Sequence, residues 1–143
     1  MKELFLYLRA KLMALSSINW VDLDKGQLNN YDTRPAIDFP AVLLKIEYPN
    51  TTKLSRKEQQ CNVLVTASIV YDCMDDTDSI TGNDLLAQSL KVYDIAQEVH
   101  EALQGECDNT IIRAPLDRLS FRDPNRNDQL KVLQYTYSTK IIA

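Results

Sequence analysis

The sequence predicts an α+β protein: one mainly antiparallel sheet, mixed pairing being allowed, with an N-terminal helix and one long helix packed on it and a C-terminal β-hairpin. Three observations carry this. Apolar residues recur at three- and four-residue steps near the N-terminus and again over residues 84–104, the spacing of amphipathic helices. Over residues 61–71 they alternate instead, the spacing of a strand. The segments follow in the order helix, strands, helix, hairpin, which favours two helices layered on one sheet.

The first helix is expected from Lys2 to Ala14. Leu4, Phe5, Leu8, Leu12 and Leu15 form its apolar stripe, and Lys2, Glu3, Arg9 and Lys11 fall between them. Ser16 and Ser17 release the chain into an irregular segment, WVDLDKGQLNNYDTRPAIDFPAVLLKIEY, running from Trp20 to Tyr48. Gly26, Asn29 and Asn30 are turn formers there, while Pro35 and Pro40 bias Arg34 and Phe39 toward extended backbone. A strand is predicted from Ala41 to Tyr48, with Val42, Leu44, Ile46 and Tyr48 on one face, and Pro49 ends it.

Cys61, Val63, Val65, Ala67, Ile69 and Tyr71 alternate with Asn62, Thr66 and Ser68, while Leu64 and Val70 make the second face partly apolar. Such a strand belongs near the sheet centre. The acidic, turn-rich stretch Asp72–Asn83 leads into a long helix predicted from Asp84 to Gln104, with Thr81 and Asp84 approximating a capping box and Gly105 as its left-handed stop. Strands over Thr110–Phe121 and Leu130–Ile142, joined by a turn-rich linker, complete the hairpin, Pro115 bending the first of them. No repeat or linker divides residues 1–143, and one domain is expected.

Composition narrows the function. The 143 residues are 45% hydrophobic and 25% charged, with 3 glycines, which fits a folded chain. A net charge of −4 gives no support for a sequence-independent grip on nucleic acid. Glu3, Arg9 and Lys11 interrupt the N-terminal apolar run, so neither export signal nor membrane span is expected, and a cytoplasmic, soluble protein is. The cysteines, Cys61, Cys73 and Cys107, lack paired spacing, so reduced thiols are expected in place of a disulfide framework or a zinc site.

The residue patterns hold little chemistry. His100 is the one histidine and stands in the last turns of the long helix, where a structural role fits better than catalysis. Asp72, Asp75, Asp76, Asp78 and Asp84 are acidic enough to suggest calcium, yet the loop lacks the alternation, central glycine and terminal glutamate of an EF-hand; Asp22, Asp24 and Gly26 fail likewise. Asp38, Lys45 and Glu47 vaguely suggest a metal-dependent nuclease, but Lys45 precedes the acid that should come two positions before it. There is no phosphate-cradling glycine motif, so no cofactor is expected. Arg113, Arg118, Arg122 and Arg126 interleave with Asp117, Asp123 and Asp128, which suits a mixed-charge protein contact better than nucleic acid.

The N-terminal helix, WVDLDKGQL, RPAIDFPAVLLKIEY, CNVLVTASIVYD, NDLLAQSLKVYDIAQEVHEALQG and RLSFRDPNRNDQLKVLQYTYSTK together resemble the tail-completion, or tail-terminator, proteins of long-tailed phages and prophages, over nearly the whole chain. The resemblance rests on element order, length and loose patterns, with no invariant signature. It implies a non-enzymatic subunit of a homo-oligomeric ring, usually a hexamer. Such a ring caps the tail tube, meets the head connector and lets DNA pass through its pore without specific binding. It also implies host cytoplasm during assembly and the tail or neck of the virion afterwards. A head–tail connector or stopper, or a minor tail subunit, is the neighbouring alternative, and a divergent nuclease the distant one. A cyclic assembly needs two different surfaces on each subunit. The expected ones are the irregular segment, through Trp20, Leu28, Tyr31 and Arg34, and the last hairpin, through Arg118, Phe121 and Arg122.

Overall fold

In the computed structural model, which describes residues 1–29, 35, 37–72, 77–126 and 130–143, the apolar stripes and alternations find one another in a helix-on-sheet arrangement. Helix α1 spans Lys2–Met13, and its inward face is Leu4, Leu8 and Leu12, each one turn beyond the last. Strands β1 (Trp20–Leu23), β2 (Ala41–Lys53) and β3 (Gln59–Tyr71) follow, then helices α2 (Asn83–Ser89) and α3 (Lys91–Leu103), and finally strands β4 (Asp117–Arg122) and β5 (Lys131–Ile142). The five strands form one sheet in the order β1-β2-β3-β5-β4, so the strand with the strongest alternation is the central one.

The α+β class and the C-terminal hairpin are as the sequence predicts, and the sheet is antiparallel except at one place. β1 runs parallel to β2, pairing Trp20 with Ala41 and Leu23 with Leu44. A parallel neighbour requires the chain to cross the sheet and return between Leu23 and Ala41, and the described residues of that stretch hold no helix. The peptide between Phe39 and Pro40 is cis.

Both faces of the sheet are covered at one end. On the helix side, Val42, Leu44, Val63, Val65, Ala67 and Ile69 pack beneath α1 and the inward face of α3, which is Val92, Ile95, Ala96, Val99 and Leu103. On the opposite face, Ala41, Leu43, Val70, Leu130 and Val132 are buried together with Leu28 and Ile37 from the crossing segment, with Trp20 and Phe39 alongside. The rest of that face is a polar ladder. Gln134 Nε2 donates to Ser68 Oγ at 3.1 Å, and the hydroxyls of Thr66 and Thr136 meet at 3.5 Å.

Four boundaries differ from the sequence expectation, each for a local reason. β2 does not stop at Pro49; it continues to Lys53 because the register shifts between Glu47 and Asn50, and a proline without an N–H is tolerated at such a bulge. The long helix is two helices, broken at Leu90. Ser89 Oγ donates to the carbonyl of Leu85 at 2.9 Å, a back-bond that bends helices. Gly82, not Thr81, precedes α2, because the Thr81 hydroxyl donates to Asp78 Oδ1 at 2.9 Å, so no capping box forms. Residues 110–116 are not strand. Asp108 Oδ1 accepts from the N–H groups of Thr110, Ile111 and Ile112 at 3.0, 2.9 and 2.8 Å, which winds the chain into a loop and delays β4 to Asp117. Gly105 does turn left-handed, at φ +77°.

Candidate functional site

The helix layer stops at β5, which leaves β4 as an edge strand with every residue exposed. Its helix-side surface is built on Tyr135 of β5, itself buried. Phe121 lies tilted against that ring at 5.2 Å between centroids, and the Arg118 guanidinium sits over it at 5.4 Å. From the helix side His100 approaches the same ring at 5.5 Å, and its Nδ1 lies 2.9 Å from the hydroxyl of Tyr137. Burial first, and then the charge on Arg118, holds the His100 imidazole below its ordinary range. The histidine therefore braces α3 against the sheet, as a structural reading expects, by way of Tyr137.

The strand is held in place by Gln104 at the end of α3. Its Nε2 donates to Asp117 Oδ1 at 3.0 Å, and its Oε1 accepts the Arg118 N–H at 3.0 Å. Between Arg118 and Ser120 the register shifts, and Leu119 at this bulge is 58% exposed. Phe121 is 46% exposed. Arg122 has no carboxylate partner among the described residues, because Asp123 is paired with Lys131. Phe121 pairs with Tyr135 and Arg122 with Gln134, so their side chains leave opposite faces of the strand; the helix-side face presents Phe121 and Arg118, with Leu119 exposed at the bulge, a composition favoured at protein contacts. Leu119 was not readable as part of it, since nothing in the sequence announces the bulge.

The irregular segment behaves differently from the hairpin. Leu28 is 8% exposed and belongs to the buried cluster on the back of the sheet, so its side chain is engaged within the chain. Trp20 is half-buried beside that cluster, and its indole N–H is buried without an acceptor among the described residues. Tyr31 and Arg34 lie outside the described residues. The guanidinium of Arg126, in the hairpin loop, donates to the Leu28 carbonyl and to Asn29 Oδ1. The segment and the hairpin are thus tied to one another.

Of the acidic residues weighed as metal ligands, Asp22, Asp24 and Asp78 are engaged locally. Asp22 bonds Lys25 and Gln27, Asp24 accepts from Gly26, and among the described residues no three candidate ligands converge. Asp75 and Asp76 lie outside the described residues. Lys45 and Glu47 pair with one another at 3.1 Å on the exposed stretch of β2, and Asp38 is exposed. Cys61 and Cys107 are free thiols, and Cys73 is outside the described residues. A cleft of about 490 Å³ opens between the end of α1, the Phe39–Pro40 turn and the start of α3, lined by Ser16, Asn19 and Lys91 among others. No helix among the described residues is long and apolar enough to cross a membrane.

No family model matches the chain, and no curated protein does. Among solved structures it is similar to a chain of the "Virion of native gene transfer agent (GTA) particle", with a TM-score of 0.53 and 9% sequence identity, covering 95% of this chain and 92% of that one. At that identity the likeness is one of fold: the arrangement of helices and sheet described above also occurs, nearly end to end, in a chain of that virion.

Proposed function

We propose that this chain is a non-enzymatic virion structural protein of phage type, working as one subunit of a homo-oligomeric ring that caps the tail tube and joins tail to head. The observation that carries the reading is the fold shared with a virion chain over nearly the full length of both. The resemblance of its segments to tail-terminator proteins supplies the finer role. The exposed surface at β4, apolar and arginine-flanked, is what a subunit that works by contact should present. The ring is hexameric, its neighbours are the tail-tube protein and the head-connector protein, and DNA passes through the pore without specific binding. The subunit acts from one domain, assembles in the host cytoplasm and ends in the neck of the virion.

Co-sedimentation with assembled tail tubes, and separately with head connectors, tests this role. Binding to tube ends and to connectors together is expected. Binding to connectors alone makes the protein a connector or stopper, and binding to neither contradicts the reading. DNA incubated with the protein and a divalent metal should stay intact; cleavage that is lost in Asp38→Ala and Glu47→Ala would instead favour the nuclease.

A further inference from the structure

A head-to-tail ring needs two separate complementary surfaces on each subunit. The irregular segment and the hairpin are joined through Arg126, so together they account for one region of the subunit. The second surface must lie elsewhere.

The stretch from Asp78 to Leu90 has the required properties. α2 touches α3 and no other helix or strand, and Ser89 is its one buried residue. Ile80 is 91% exposed on the turn before α2, and Leu85 and Leu90 are 41% and 40% exposed. A solvated turn has no need of a nearly bare isoleucine, and these three large exposed apolar groups fall close together along the chain. The charge here is of one sign. Between Asp78 and Leu90 the charged residues are Asp78 and Asp84, both acidic, and Lys91 follows at the start of α3. Asp78 accepts from Ile80 N–H and the Thr81 hydroxyl, bonds that leave its charge uncompensated.

The β4 surface is the counterpart in both respects. It exposes Leu119 and Phe121 and carries Arg118 on the face of Phe121, Arg122 standing on the other face of the strand, while the neighbouring acids are engaged by Gln104 and Lys131. We propose that the acidic turn and α2 of one copy dock on the basic edge strand β4 of the next, Asp78 and Asp84 meeting Arg118 around a core of Ile80, Leu85, Leu119 and Phe121. The occupant of each surface is a second copy of this chain, because the two are opposite in charge and each exposes large apolar groups that the other can cover. The inference rests on the self-assembly proposed above. Repeated from copy to copy, the contact is heterologous and generates a closed ring or a filament.

Charge reversal tests it. Arg118→Glu and Asp84→Lys replace exposed groups that hold no ion pair among the described residues, so each variant should unfold within a few degrees of the wild type. By sedimentation velocity, each alone should self-associate at least about tenfold more weakly than the wild type. An equimolar mixture of the two should regain assembly, since the reversed arm of one meets the reversed strand of the other. Local misfolding cannot produce that rescue. Wild-type assembly that neither reversal weakens, or a mixture that stays as dissociated as its components, overturns this contact and leaves the ring standing. A wild-type protein that remains monomeric at every concentration and on tail tubes contradicts the ring and the contact together.

Discussion

Leu28 decides whether the crossing segment serves packing or contact, and Leu28→Ala measures it. The side chain is 8% exposed and packs with Ile37, Ala41, Leu43, Val70, Leu130 and Val132 on the back of the sheet. Truncating a buried leucine costs about 2–5 kcal/mol, the upper end applying where the surroundings cannot relax. This cluster is small, and Leu28 sits at its margin with some access to solvent. The loss should therefore fall at about 2–3 kcal/mol. For a chain of 143 residues that corresponds to a fall in Tm of roughly 7–12 °C. Leu8→Ala is the reference, because Leu8 is fully buried between α1 and the sheet, and its loss should cost about 4 kcal/mol. Urea unfolding followed by circular dichroism reads both, and the variants should keep the wild-type m-value. A Leu28→Ala protein within about 0.5 kcal/mol of wild type that no longer assembles would refute the reasoning, and would make Leu28 a contact residue.

Three further outcomes follow from single sites. Glu106 accepts from the hydroxyl of Tyr7 and pairs with Lys11 at 3.1 Å, and these, Tyr7 foremost, hold its carboxyl below the ordinary range. A depressed carboxyl stabilises the fold above its unfolded pKa and loses that contribution as pH falls through the lower folded value. Glu106→Gln should thus remove part of the acid dependence of Tm and cost about 1 kcal/mol or less at neutral pH, the pair being partly exposed. His100 is also depressed, so its neutral form is favoured by folding, and stability declines as pH drops below about 6.5. As the one histidine in the chain it gives one imidazole signal by NMR, whose midpoint should lie below that value and move in Tyr137→Phe. Gly105→Ala meets no neighbouring atom within 4 Å yet is held at φ +77°, and should cost about 1 kcal/mol in denaturant unfolding, whereas Gly82→Ala, equally open at φ −64°, should be nearly neutral.

Much of the scaffold is legible in the sequence, because it depends on periodicity. The steps Leu4, Leu8, Leu12 announce α1, and the alternation from Cys61 to Ile69 announces a central strand whose partly apolar second face, Val70, meets the crossing segment. What escaped depends on single side chains competing for backbone groups. Asp108 takes three successive N–H groups and winds residues 110–116 into a loop, and Ser89 turns one helix into two. The parallel β1 was hidden because the crossing that makes it possible has no helical pattern. At the candidate site, Arg118, Phe121 and Arg122 were readable as interface residue types, whereas Leu119 depends on a bulge and Leu28 on which face the crossing segment covers.

The central claim is that this fold closes into a ring that ends a tail tube, and electron microscopy of the purified protein, alone and with tail tubes assembled without it, tests that claim most directly. The account predicts rings of uniform diameter with an axial pore, seated on one end of each tube and stopping its further growth. Tubes that keep lengthening with bare ends, in the presence of a protein that forms no ring, would contradict it.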